Sequence, residues 1–176
     1  MLMRQKDFES VTVEELITRA DVGRSTFYTH YADKEDLLQD GLDRLRKGLE
    51  ALQQQGRREA IGQPPVFAFS RELFAHVHAH ADVFRAMAGK RSGAMVQRHF
   101  QRMLHGLVRA ELQLPGATAS TRAPSSEAEA AVGFVAGGLY GLLAWWIDDR
   151  LRLSIDEVER LFRRLAVPAS RAATAR

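Results

Sequence analysis

The stretch from Thr12 to Leu38, TVEELITRADVGRSTFYTHYADKEDLL, constrains the fold more than any other part of the chain. Short helical patterns follow one another there, separated by turns too tight for ordinary bundle packing. Thr12-Val13-Glu14-Glu15 has the form of a capping box: the Thr hydroxyl accepts from the Glu15 N–H, and the Glu15 carboxylate returns to the Thr amide. Val13, Leu16, Ile17 and Ala20 then recur at the spacing of one buried helical face. Asp21-Val22-Gly23 breaks that pattern, with the glycine expected to supply a positive φ. A helix closed by a sharp turn is predicted.

From Arg24 to Tyr31 only Phe27 and Tyr31, four residues apart, offer large apolar surface to a core. Arg24, Ser25, Thr26, Tyr28, Thr29 and His30 crowd the remaining face with hydrogen-bonding groups. A helix this short is not stable alone, so a scaffold must hold it while its polar face meets a partner. Duplex DNA fits, because a major groove admits one helix and such side chains reach phosphates and base edges. Asp33-Lys34-Glu35-Asp36 is the start signal of a third helix and places Lys34 in its first turn. The helix dipole disfavours a cation there, so a phosphate is expected opposite Lys34. The expected DNA contacts are Thr12, Arg24, Ser25, Thr26, Tyr28, Thr29, His30 and Lys34.

These residues resemble the DNA-binding domain of the TetR family of bacterial transcription regulators. The likeness lies in Val11-Thr12-Val13, Ala20-Asp21-Val22-Gly23, Ser25-Thr26-Phe27-Tyr28 and Lys34-Glu35-Asp36-Leu37-Leu38. It covers the first quarter of the chain closely and the remainder by architecture alone. The resemblance implies a dimeric, ligand-responsive repressor acting on a palindromic operator. Asp21 stands where the family often has Gly, and Gly23 where a Ser usually caps the recognition helix. Family members also have a longer first helix preceded by a basic arm, which Met1 to Ser10 does not supply. The expected explanation is a start assigned downstream of the true one or a shortened chain; a natural lack of the arm is the alternative.

Nearly every hydrophobic segment follows the helical period, so an all-α protein is predicted. It comprises a helix-turn-helix domain over 1–50, with the start of a linking helix, and a helical ligand-binding and dimerisation domain over 51–176. Leu38, Leu42, Leu45, Leu49 and Leu52 mark that linking helix. Periodicity is lost from Gln53 to Pro65, and Pro65 is expected in the first turn of the next helix, with Val66, Phe69, Leu73 and Val77 on its buried face. Asp82 can cap a short successor carrying Val83, Phe84 and Met87. Gly89 to Gly93 lacks the order of a phosphate-binding loop and reads as a solvated basic turn. Met95, Val96, Phe100, Met103, Leu104 and Leu107 stripe another helix, and residues 116–126 read as a polar linker. Ser154 can cap a last helix, with a tail expected to be disordered after Pro168.

Charge argues less than the motif. Residues 1–50 hold 8 basic and 11 acidic side chains, a balance of −3, so the chain's net +3 comes from the remainder. Local placement of Arg24 and Lys34 outweighs that sum, because the Debye length is about 8 Å at physiological salt. The absence of cysteine excludes a disulfide framework or thiolate metal site and fits a cytoplasmic protein. The apolar run from Ala136 to Ile147 is interrupted by glycines and stops short of the roughly 20 residues of a membrane span. No membrane association is expected.

Between Glu127 and Asp148, Gly133, Gly137 and Gly141 recur every four residues. Each glycine costs about 1 kcal/mol in a helix interior, a cost that close approach of another helix would offset. Homodimerisation is therefore expected through this helix and the last one, using Gly133, Gly137, Gly141, Val158, Leu161, Phe162 and Leu165. Phe67, Phe74, Phe84, Met87, Met103, Tyr140 and Trp145 are candidates to surround a small, mostly apolar effector; the plain alternative is that they are core. The adjacent indoles of Trp145 and Trp146 point roughly 100° apart, so both cannot face one core. His76 and His80 stand one turn apart, but no carboxylate completes a zinc set, and neither a metal nor a cofactor is expected. No nucleophile elbow or acid pair indicates an enzyme. A helical small-molecule- or metal-binding protein with a vestigial helix-turn-helix is the alternative to the repressor.

Overall fold

Most helices begin where the sequence supplies a cap or an apolar face to bury. A computed structural model describes residues 8–59, 67–87, 93–112 and 126–174, and all described regular structure is helical. A short 3-10 turn, Phe8–Ser10, leads into α1 (Val13–Ala20), α2 (Arg24–His30) and α3 (Lys34–Glu59). Then come α4 (Ser70–Ala79), α5 (Ala81–Met87), α6 (Gly93–Glu111), α7 (Ser126–Asp148) and α8 (Ile155–Thr174). The expectations for Pro65 and Val66, the basic turn at 89–92 and most of the 116–126 linker lie outside the described residues. So do those for the side chains of Met87, Met95 and Val96.

The expected capping box at Thr12 is present, and the cap expected at Ser154 proves to be a second one. Thr12 Oγ1 accepts from the Glu15 N–H at 3.2 Å while Glu15 Oε2 accepts from the Thr12 N–H at 2.9 Å. Ser154 and Glu157 repeat the arrangement ahead of α8, at 3.3 and 2.8 Å. Asp33 caps α3 by accepting from the Asp36 N–H at 2.8 Å.

The linking helix runs further than its leucines indicate. Leu42 and Leu49 are buried and Leu38 and Leu45 pack beside them, but Leu52 turns outward and Gln53 takes the inward position. Burial of an amide there is compensated by hydrogen bonds: Gln53 Nε2 donates to the Leu107 carbonyl at 2.8 Å and to Glu111 Oε2 at 2.6 Å. Glu111 Oε1 accepts from the Phe67 N–H at 2.8 Å, holding a residue whose φ is 45°. α3 is thereby tied to α6 and to the start of α4, which begins at Ser70 rather than at Pro65.

α7 lies at the centre, packed against α6 on one side and α8 on the other, while α4 packs on α8 and α3 on α6. Val132, Leu139, Leu143 and Trp146 bury the inner face of α7. At 23 residues α7 is long and apolar enough to cross a membrane by length and composition, so the sequence argument from a short apolar run does not hold. Burial against neighbouring helices accounts for the apolar inner face, while Phe134 and Trp145 leave apolar surface exposed on the outer one. α8 also continues through Pro168 to Thr174, where a disordered tail was expected. Pro168 is exposed, whereas Ala166 and Ser170 are buried and the Ser170 hydroxyl donates to the Ala166 carbonyl, so packing outweighs the missing N–H.

Candidate DNA-binding surface

The turn between α1 and α2 is made by a residue other than the one expected. Asp21 takes the left-handed conformation, φ 52° and ψ 46°, while Gly23 is extended at φ −66° and caps α2 without a side-chain bond. The Val22 N–H closes the turn on the Ile17 carbonyl at 2.9 Å. Aspartate tolerates this region better than most side chains, and a glycine would fit it without strain.

Phe27 anchors α2 by its buried ring, 5.6 Å from Tyr31. Tyr31 in turn donates to Asp40 Oδ2 at 3.0 Å and accepts from Arg44 at 3.2 Å, while Arg44 also bridges to Asp40. Those bonds lower the Asp40 pKa, the Arg44 hydrogen bond first and the Tyr31 hydroxyl second. Asp40 and Arg44 were not among the expected site residues. Their spacing of four on a helix is a visible signal for an ion pair, but nothing local says that the pair also grips the end of α2.

Arg24, Ser25, Thr26, Tyr28, Thr29 and His30 are all exposed on the outer face of α2. The Arg24 guanidinium lies 5.8 Å from the centre of the Tyr28 ring. Thr29 spends its hydroxyl proton on the Ser25 carbonyl at 2.8 Å, so towards a partner its oxygen can only accept. Thr12 is exposed, with its hydroxyl engaged in the capping box. Lys34 is half-buried, and its ammonium donates to the carbonyls of Phe8, Glu9 and Val11 at 2.9, 2.8 and 2.9 Å. The open phosphate-facing position expected for it is not what the structure gives: these carbonyls already occupy the ammonium.

The other expected sites divide cleanly. Gly133, Gly137 and Gly141 are exposed, and among the described residues a Cβ at any of them would meet nothing within 4 Å, so no described helix makes the close approach their spacing led one to expect. Phe134 and Leu165 beside them are 70% and 60% exposed and flank an apolar groove between α7 and α8. Leu161 is half-buried, whereas Val158 and Phe162 are buried in the chain's own core; Phe162 also floors the groove. Those two are therefore core residues first, because α8 turns that stripe towards α4 and α7.

Among the effector candidates, Phe67 and Phe74 are buried and lie 5.2 and 6.2 Å from Phe162, with Phe74 also 5.6 Å from Trp146. Met103 is buried in the same core. These side chains pack on one another and fill space. Phe84 and Tyr140 are half-buried on either side of Phe100, at 5.1 and 6.5 Å. Trp145 is 47% exposed while Trp146 is fully buried and donates to the Leu153 carbonyl at 2.9 Å, as their angular separation requires. Trp145 is thus on the outer surface and cannot line an interior pocket. His76 and His80 lie 4.5 Å apart by ring centres, and among the described residues no group of three potential metal ligands forms.

A short exposed polar helix, held by one buried aromatic ring and a tight turn from the helix before it, defines the DNA-reading unit of a helix-turn-helix transcription regulator. Residues 1–40 match the family model described as bacterial regulatory proteins, tetR family. The N-terminal quarter of the chain is thus that of a TetR-type DNA-binding domain. Over 44 residues it is 36% identical to the uncharacterized HTH-type transcriptional regulator YxbF of Bacillus subtilis (strain 168). That stretch is 25% of this chain and 12% of the relative, so the chain spans only a small part of the protein it matches.

Proposed function

We propose that this regulator is a ligand-responsive repressor that binds a palindromic operator as a homodimer in the cytoplasm. The polar face of α2 carries the reading: Arg24, Ser25, Thr26, Tyr28 and His30 stand exposed together on a helix whose burial rests chiefly on Phe27. One such helix spans few base pairs. Two of them, presented about 34 Å apart by a two-fold axis, read both halves of a palindrome on one face of the duplex. The exposed glycines of α7 and the apolar groove beside Phe134 and Leu165 support that axis, since their apolar surface has no partner among the described residues. The effector is a small, mostly apolar molecule, with Phe84 and Tyr140 the aromatic candidates that retain surface to offer. Residues 1–50 form the reading domain with the start of α3, and residues 51–176 the effector and dimerisation domain. Selection of bound fragments from a random DNA pool tests this: an inverted repeat with half-sites one helical turn apart is expected, and enrichment of no common sequence would reject it.

A further inference from the structure

We infer that Arg57 is the anchor for a carboxylic acid, which makes the effector an organic acid whose charged group sits where α3 meets α6. Arg57 follows Gln53 by one helical turn, on the side of α3 that Gln53 fixes to the Leu107 carbonyl and to Glu111. Its side chain is half-buried, and Nε and Nη2 are shut off from water without a hydrogen-bond partner. Those two nitrogens share one edge of the planar guanidinium and send out parallel protons, the fork that both oxygens of one carboxylate fit. A buried donor without an acceptor is costly, the more so on a charged group, and an acceptor from outside the chain removes that cost. Arg46, Arg109 and Arg163, the other half-buried arginines among the described residues, bridge to Glu50, Glu129 and Glu159. For Arg57 no such acid is at hand. Glu111, the buried carboxylate of that corner, spends Oε2 on Gln53 and Oε1 on the Phe67 N–H. Residues 60–66 and 113–125, which follow α3 and α6 in the chain, contain no acidic side chain. The dipole of α3 favours a cation in its last turn, but exposed Arg58 meets that preference in solvent, and it gives no reason to turn a fork inward. A carboxylate suits the site better than a phosphate dianion, because one negative charge offsets the guanidinium and a second would be buried near Glu111. An acid held there bears on the corner that ties α3 to α6 and to the start of α4, and so on the attitude of α2 at the other end of α3.

This deepens the ligand-responsive reading and rests on it only for the link to DNA. The probes are sodium acetate, benzoate and octanoate, with octanamide as the uncharged counterpart of octanoate and sodium chloride as the ionic-strength control. They are added to the full chain as wild type, Arg57→Met and Arg57→Lys. Thermal unfolding is followed together with the NMR signal of the Arg57 Nε–H group, assigned by its loss from the Arg57→Lys spectrum. At least one of the acids should shift that signal saturably and raise the wild-type melting temperature by a few degrees, whereas octanamide and chloride do neither. Without ligand, Arg57→Met should be at least as stable as wild type, since it removes an unpaired buried charge and keeps the stem. Neither variant should respond to the acids as wild type does, because methionine has no charge and an ammonium has no fork. An Arg57→Met variant markedly less stable than wild type would show that the guanidinium already has a partner in the chain, and would overturn the inference. So would a wild-type signal indifferent to all three acids, which leaves the fork to ordered water, or an equal response from Arg57→Met, which puts the acid elsewhere. An acid that binds at Arg57 should also lower wild-type affinity for the operator recovered by fragment selection several-fold, and leave that of Arg57→Met unchanged. Binding at Arg57 with operator affinity unaltered would keep the site and refute its part as the effector seat. If no operator is recovered, the DNA-binding reading fails, and the Nε–H signal and the melting temperatures still judge the site.

Discussion

Asp21 and Gly23 have exchanged the parts that their side chains would best play. Asp21 holds a positive φ, and Gly23 holds an extended N-cap position where a hydroxyl would accept an orphan N–H. Asp21→Gly should therefore stabilise the folded domain by about 1 kcal/mol, the order of the left-handed penalty for a side-chain-bearing residue. Gly23→Ser should add a few tenths of a kcal/mol, the difference between these caps. Space permits it, because a Cβ there meets only Thr26 Oγ1, at 3.6 Å. Urea unfolding reads both, and a loss of stability in either variant would contradict these assignments. The capping boxes and the exposed face of α2 were legible in the sequence because their partners lie three or four residues away. The tasks of Lys34, Tyr31 and Arg44 were not, because the atoms that claim them arrive from 9 to 26 residues away. A motif names the residue type, and only the fold shows which of its protons are already taken.

At the scale of elements, α3 is the member that joins the two ends of the molecule. Its 26 residues span roughly 39 Å at 1.5 Å each, with Lys34 and Arg44 at the DNA-reading end and Gln53 fastened to α6 at the other. Gln53→Leu removes the amide and leaves the Leu107 carbonyl and the Glu111 carboxylate short of a buried donor. A loss of about 1–3 kcal/mol is expected, with Gln53→Glu worse because it sets a second carboxylate against Glu111. A Gln53→Leu variant as stable as wild type would show that the bond contributes nothing. The extent of α3 was illegible because polar Gln53 interrupts the leucine stripe, and its burial makes sense only once α6 is in place. α4 carries a pH dependence. Burial, and secondarily the charge of His80, lowers the His76 pKa below its ordinary 6.5, with Glu72 opposing. Near and just below pH 6.5 the unfolded chain therefore binds the extra proton, and stability rises with pH through that window. Acidification should lower the urea midpoint of wild type more than that of His76→Gln, whereas parallel curves for the two proteins would exclude His76 as the cause.

At the scale of the whole molecule, the repressor reading makes two demands, that copies pair and that an effector unsettles the pair. For pairing, Gly137→Leu is the informative substitution, because its Cβ finds open space within the chain and its helix propensity is better by about 0.8 kcal/mol. The protomer should become slightly more stable to unfolding while the dimer comes apart in sedimentation; an unchanged dimer would move the interface away from the glycine face. For switching, the argument begins from the continuity of α3. Gln53, Leu107 and Glu111 fasten its far end to the effector region, while Tyr31, Asp40 and Arg44 fasten its near half to α2. A molecule that displaces α6 or the start of α4 must carry Gln53 with it, and a helix without a break transmits that displacement to α2. In a dimer a small rotation of each protomer changes the separation of the two recognition helices, whereas the spacing of operator half-sites is fixed, so repression fails by misfit. The effector can do this only by binding the DNA-incompetent state more tightly, and a difference of about 1–3 kcal/mol would weaken operator binding roughly 5- to 150-fold. Linkage then requires the reverse effect, that saturating operator weaken effector binding by the same factor. Titration of an identified effector with and without operator measures this directly. Gln53→Leu should bring the two affinities together by loosening the far end of α3. Equal affinities already in the wild type would make the compound a bystander and leave the DNA-binding domain without a switch.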